Sequence, residues 1–451
     1  MSKENKILLV MIDALRYDSL SFNGYRRRGN KTTPNIDEIA EDSTIYKHAI
    51  TAGPATHYSQ TALTTGKYPS NMDFAGAFTE LGDKTETIAE DLKKNGYSTM
   101  AIHTAMLNRD KGFGRGFDEY HEAQFMPKIK LEKDYITCGL YNLVFGKDSR
   151  TLHKNKILKN YISENKDQPF FSYACYTNTH NPYRAPYPWN RKFEREVEEW
   201  MDEEMIDYIS GPGSANKAIA NYEDLSEEEI DVIRSRYDAG LAYLDHRIGE
   251  IIEHLKKEGI YDETMIIITS DHGELFGEDG LFYHALSIRQ ELIHVPLIVK
   301  YPGQEEGEVV EKPVSLLDLY PTILEEAGID TGEPDFDGVS LTSENGTDIP
   351  LSELGRPKKE RMQDLEEEGV KDAEKYYRGL KSAQDNEFKL VKSSRGEEKL
   401  TRLRENGEGE EEMRKKLRKE IEEKLLGFWE GDNEIEVEEE IKDELEKLGY
   451  F

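Results

Sequence analysis

The segment KILLVMI, residues 6–12, is apolar from its second residue to its last and runs directly into a carboxylate, Asp13. A run that short, with no helical period, reads as a strand buried on both faces. The design recurs in QPFFSYACYTNTH (168–180) and TMIIITSDHGE (264–274), and IHVPLIVKYPG (293–303) carries a further strand. Between these runs lie helical patterns. TTPNIDEIAEDS (32–43) opens a short helix on Pro34, TETIAEDLKKNGYSTMAIHT (85–104) is a helix, a Gly96 stop and a strand, and the acidic stretch 226–259 is one long helix. LLDLYPTILEEAGI (316–329) adds a helix. Strands alternating with helices predict an α/β fold, a mostly parallel sheet covered on both faces.

The texture changes near residue 330. YYRGLKSAQDNEFKLVKSS (376–394) and EEKLTRL (397–403) read as an antiparallel meander followed by Glu/Lys-rich helices. The expected division is therefore a catalytic domain over 1–330 and an α+β subdomain over 331–451. Residues 181–225, rich in Tyr, Trp, Pro and Gly, read as an insertion over the site, and the Glu runs of 407–423 as an exposed helix face or a mobile loop.

Charge excludes one class of partner. With 59 basic and 91 acidic residues the chain carries −32, which leaves no basic footprint for nucleic acid. Such acidity keeps a protein soluble by self-repulsion, and a salt-rich cytoplasm would screen that repulsion. Cys138 and Cys175 form no CxxC pair or even-numbered framework. No stretch approaches the roughly 20 apolar residues of a membrane span. The expectation is a cytoplasmic, halophilic protein without stable membrane insertion.

Three polar features fall at predicted strand ends, where open α/β sheets place their ligand sites. Asp13 ends the first strand, His180 the second, and Asp271-His272 the third. A carboxylate and an imidazole side by side suit a borderline divalent cation, and they equally suit a cap on the next turn. Asp13 has the same two readings, cation ligand or helix N-cap. Thr56, in PATHYSQTALTTGKYPS (54–70), stands at a helix start. It is a fitting N-cap there, and equally a hydroxyl placed where negative charge is stabilised.

The ordered series LLVMIDALRYDSL, TTPNIDEIAEDSTIYKHAIT, TALTTGKYPS, NTHNPY, TSDHGELFGEDGLF, HVPLIVKYPG, LLDLYPTILEEAGI, DGVSL and ELEKLGYF resembles the sulfatases of the alkaline phosphatase superfamily over almost the whole chain. The resemblance implies an α/β/α sandwich with a small C-terminal domain built on an antiparallel sheet. It places the nucleophile at Thr56, one divalent metal (Mn or Ca first, Zn or Mg as alternatives) on Asp13, Thr56, Asp271 and His272, and substrate-handling roles on His180 and His284. His284 stands where sulfatases often carry a lysine.

Departures from the family pattern are specific. Cys/Ser-x-Pro-x-Arg is replaced by Thr56-His57-Tyr58-Ser59-Gln60, the paired aspartates by Asp13-Ala14, and Gly-Lys-Trp-His is missing from AIHTAMLNRDKGFGRGFDEY (101–120). Threonine cannot become formylglycine. A threonine nucleophile resembles the phospho-transferring branches of the superfamily. The expected function is hydrolysis of sulfate or phosphate esters of a small molecule or glycan through a covalent threonine intermediate. The alternatives are a phosphotransferase or phosphodiesterase acting on a glycan or lipid head group, and a metal-binding pseudoenzyme. Tyr183, Tyr187 and Trp189 are open to two readings, stacking on substrate rings or forming the insertion's own small core.

Overall fold

The computed structural model describes residues 5–429 apart from 73–79, 83, 104–106, 123–147, 184, 194–213, 223–224, 285, 331–334, 345 and 405–408. The terminal ELEKLGYF, much of the 181–225 insertion and the expected boundary at 330 to 331 therefore lie outside the described residues or at their edge.

Among the described residues nine strands form the main sheet: β1 (Lys6–Ile12), β2 (Thr44–Ile50), β3 (Ser98–His103), β4 (Glu119–Glu122), β5 (Phe170–Tyr176), β6 (Thr264–Thr269), then, after a short hairpin of β7 (Leu275–Phe276) and β8 (Phe282–Tyr283), β9 (His294–Val295), β10 (Leu297–Lys300) and β11 (Glu308–Ser315). The order is β11-β2-β10-β6-β1-β5-β3-β4, with β9 on β2. Central strands β6, β1, β5 and β3 run parallel, whereas β10 is antiparallel to both of its neighbours. The fold is the expected mainly parallel α/β sandwich.

β1 shows why. Its side chains alternate faces. Ile7, Leu9 and Met11 pack under α2 (Thr56–Thr65), reached through Leu63, under α3 (Ile88–Lys94), and under Leu319 and Ile323 of a helix towards the end of this half. Leu8, Val10 and Ile12 pack under α1 (Pro34–Ala40), α4 (Thr151–Asn165) and α5 (Glu227–Glu258). A strand covered on both faces has no room for polarity until it ends, and Asp13 is where it ends.

A second sheet, β12 (Leu351–Leu354), β13 (Leu380–Gln384), β14 (Phe388–Ser393) and β15 (Glu398–Arg402), is antiparallel throughout. The Glu-rich stretch beyond it is an ordered helix, Glu410–Lys424, that buries Leu417 and Ile421 against Phe388 and Leu390. Of the two readings of that stretch, the exposed helix face agrees with this and the mobile loop does not: Leu417 and Ile421, spaced four apart, give an otherwise charged and exposed helix one apolar stripe. The same cluster includes Ala52 and Ala62, so the second sheet abuts the loop and helix that carry Thr56. Among the described residues no helix is long and apolar enough to cross a membrane.

Candidate active site

The carboxyl ends of β1 and β6, paired in parallel register, bring Asp13 and Asp271-His272 together. The turn after β1 is tied to the turn after β6: Leu15 N–H donates to Ser270 Oγ at 2.8 Å, and Ala14 N–H donates to Asp271 Oδ1 at 3.3 Å. Ala14 holds φ +62° to do so, a left-handed conformation that costs a non-glycine residue about 1–2 kcal/mol. Gly273 follows because nothing larger fits; a Cβ there would lie 1.9 Å from the Glu291 carbonyl oxygen. His272 is thereby fixed, with Nδ1 2.8 Å from the Gly273 carbonyl and Nε2 left to face the site.

His272 Nε2 is the hub. It lies 3.4 Å from Asp13 Oδ1, 3.9 Å from Asp271 Oδ2 and 3.2 Å from Thr56 Oγ1. Asp13, Asp271 and His272 each offer a ligand atom within 4.8 Å of the others, and all three are shut off from water. Burial, and then the neighbouring Asp271, push the Asp13 carboxyl well above the usual carboxylate range. Burial opposes charging of His272, but Asp271 and Asp13 outweigh it and raise the imidazole. Buried carboxylates that repel each other across an imidazole fit a divalent cation, which would remove the repulsion.

Thr56 opens α2. The N-cap is Ala55, and no side chain caps the helix. The N-cap reading of Thr56 is thus corrected: Ala55 is extended, Thr56 is already the first helical residue, and its hydroxyl points at His272 instead. Thr56 is 1% exposed.

Three more histidines ring this point. The His284 ring centroid lies 4.4 Å from that of His272 and 4.9 Å from that of His180. Glu274, fully buried, holds the group together: His284 Nδ1 lies 3.1 Å from Glu274 Oε1, and the Tyr183 hydroxyl donates to Oε2 at 2.9 Å. Burial pushes Glu274 up to about 7. Burial, with His272 and His180 adding to it, holds His284 well below the usual imidazole range. His57 is 7% exposed, neither ring nitrogen has a hydrogen-bond partner, and burial takes it down to about 3.

The Sulfatase family model matches residues 5–329. The chain belongs to the sulfatase family. Within that family it is 28% identical over 355 residues to arylsulfatase K of Danio rerio, covering 72% of this chain and 64% of that protein. It is 28% identical over 341 residues to the choline-sulfatase of Rhizobium meliloti (strain 1021), covering 68% of this chain and 65% of that protein. The chain thus spans just under two thirds of the length of these curated relatives. The phosphonate monoester hydrolase of Silicibacter pomeroyi superimposes with a TM-score of 0.71 at 20% identity, covering 93% of this chain and 96% of that one, a likeness of fold.

Every site residue expected from the sequence lies in this one cluster: Asp13, Thr56, Asp271 and His272 at its centre, His180 and His284 beside it. Arg16 does not face it, being tied to Asp18 and Glu278 at 2.6 Å each. His294 Nε2 donates to the Lys47 carbonyl at 2.7 Å beside the β2–β9 pairing, as a structural histidine. Of the aromatic trio, Tyr183 is buried against Tyr237 and Phe276, and Trp189 packs with Phe193, Ala239 and Ala242, so both anchor the insertion to the long helix α5 instead of forming a core of its own; Tyr187 is 53% exposed. Sequence reasoning missed Glu274, although it sits in the quoted TSDHGE, and it saw in Gln60 only a lost arginine.

Proposed function

We propose that this sulfatase-family chain is a metal-dependent hydrolase of sulfate or phosphate esters, reacting through a covalent adduct on Thr56. The observation that carries the reading is the Thr56 hydroxyl standing 3.2 Å from His272 Nε2, beside Asp13 and Asp271 and free of any capping duty. Asp13, Asp271, His272 and Thr56 would hold one divalent cation, Mn or Ca in first place. Bound there, it would supply positive charge that lowers the hydroxyl pKa and offsets charge on the ester oxygens.

The remaining work falls to the protein. Thr56 Oγ passes its proton to a neutral imidazole among the surrounding histidines and attacks the sulfur or phosphorus, and the bond to the leaving alkoxide breaks on the opposite side. The N-terminal end of α2 adds partial positive charge where negative charge gathers. His284, oriented through Nδ1 by Glu274, and His180 are held neutral by burial, so either can take up the Thr56 proton and hand it to the leaving oxygen. The unpartnered nitrogens of His57 offer a further contact for an ester oxygen. Water then releases the group from Thr56.

Turnover of an aryl sulfate, an aryl phosphate and a bis-aryl phosphate, side by side with Mn²⁺, tests the proposal. At least one should be hydrolysed, and chelation should stop it. No turnover of any of the three by folded, Mn²⁺-supplied protein would overturn the reading.

A further inference from the structure

Gln60 lies one helical turn beyond Thr56 on α2, so both side chains leave the same face. It is fully buried, and its amide is engaged at both ends. Nε2 donates to Asp271 Oδ2 at 2.6 Å, and the Tyr173 hydroxyl donates to Oε1 at 2.7 Å. The orientation follows from chemistry. A carboxylate only accepts, so the NH₂ end must face Asp271, and the amide oxygen is left to the Tyr173 hydroxyl. Tyr173, buried in the centre of β5, cannot swing away. The other Asp271 oxygen takes N–H groups from Ala14 and His272 at 3.3 and 3.0 Å. Asp271 is thus held from three sides: the ends of β1 and β6, and α2.

Position 60 is where the sulfatase pattern carries arginine. A guanidinium would offer Asp271 the same donor together with a full positive charge, in direct competition with a cation at the same carboxylate. The amide offers the donor alone.

We propose that Gln60, locked by Tyr173, is a positioning residue that orients Asp271 towards a divalent cation and leaves that cation the whole of its negative charge. The Thr56 site then binds a divalent cation more tightly than it would with arginine at position 60. This rests on the proposed cation set of Asp13, Asp271 and His272. It ties the threonine and the glutamine together: a nucleophile that depends on the cation sits four residues from the side chain that holds the cation's ligand.

The test is binding of Mn²⁺ to chelator-stripped protein, followed by the paramagnetic signal of the free ion, with thermal unfolding of the stripped protein recorded beside it. Wild type should bind one Mn²⁺ per chain. Gln60→Met, near in size and without a donor, and Gln60→Arg should each weaken binding by about 10–100-fold, the usual effect of losing a partner behind a metal ligand. Gln60→Arg should do so without lowering the melting temperature of the stripped protein below that of Gln60→Met, because guanidinium relieves the repulsion between Asp13 and Asp271. A purely structural role would move melting and leave Mn²⁺ affinity alone. Tyr173→Phe removes one hydroxyl and should weaken binding in the same direction, and it decides the matter if a Gln60 variant does not fold. Folded Gln60→Met, or in its place Tyr173→Phe, binding Mn²⁺ as tightly as wild type would overturn the inference. Wild type that binds no Mn²⁺ would overturn the cation set itself, a different result from equal binding by wild type and variants.

Discussion

The Thr56 hydroxyl and His272 Nε2 lie 3.2 Å apart although 216 residues separate them in the chain. Helix α2 sits over one face of the sheet, and His272 follows the carboxyl end of β6; the meeting point is the rim where strands release polar groups. The second sheet closes on the same place, with Ser352 bonded to the Thr51 carbonyl and Glu353 N–H to the Ala52 carbonyl at 2.8 Å. The loop that aims Thr56 is therefore held from both halves of the molecule.

His284 should matter to rate more than to folding. Its ring is partly accessible and is bonded to Glu274. His284→Ala should lower kcat by about 10²–10⁴-fold, the usual worth of a positioned acid or base. The loss should be greatest for poor leaving groups, measured across a series of aryl esters of rising leaving-group pKa.

Metal content should be one divalent ion per chain in protein purified without chelator. Asp271→Ala should empty the site and Asp13→Ala should weaken it strongly, both by elemental analysis. Two tightly held ions per chain would contradict the one-metal set.

Much of this was legible before the structure because buried parallel strands write themselves as unbroken apolar runs: β1, β5 and β6 were each visible, and with them Asp13, His180 and Asp271-His272. β11 was not, since EVVEKPVS lies at a sheet edge, breaks its apolar residues with Glu311 and Lys312, and carries Pro313. The antiparallel setting of β10 was equally hidden, because direction is decided by the connection and not by the strand's own residues. Glu274 and Gln60 escaped for a third reason. Their roles rest on Tyr183 and His284, and on Tyr173 and Asp271, which only folding brings near.

Salt should stabilise the protein. A chain of −32 repels itself, and screening shortens the reach of that repulsion. The unfolding midpoint should rise as potassium chloride goes from dilute to molar. A flat or falling midpoint would remove the halophilic reading and leave the chemistry untouched.

Lys389 predicts a pH dependence. It is buried where β14 meets the first half of the chain, donating to the Ile288 carbonyl, and burial lowers its ammonium to about 7. The unfolded chain keeps that proton up to the ordinary lysine value, so between about pH 7 and 10 unfolding takes up a proton. This group's contribution to stability must rise with pH across that window. Lys389→Met should remove that rise, seen as the difference between the two proteins' urea midpoints at pH 7 and pH 9.5. An equal difference at both values would contradict the assignment.

Thr56 carries the central claim, and steady-state turnover by Thr56→Ala beside Thr56→Ser, with Mn²⁺ present, tests it most directly. Since Thr56 caps nothing, the alanine variant should stay within about 1 kcal/mol of wild-type stability. Its turnover should nonetheless fall by about 10⁴–10⁶-fold, the scale of losing an attacking group. Thr56→Ser should keep measurable activity and yield a phospho or sulfo adduct on its own position-56 peptide after acid quench. Turnover by Thr56→Ala at near the wild-type rate would contradict the account, leaving water and not Thr56 as the nucleophile.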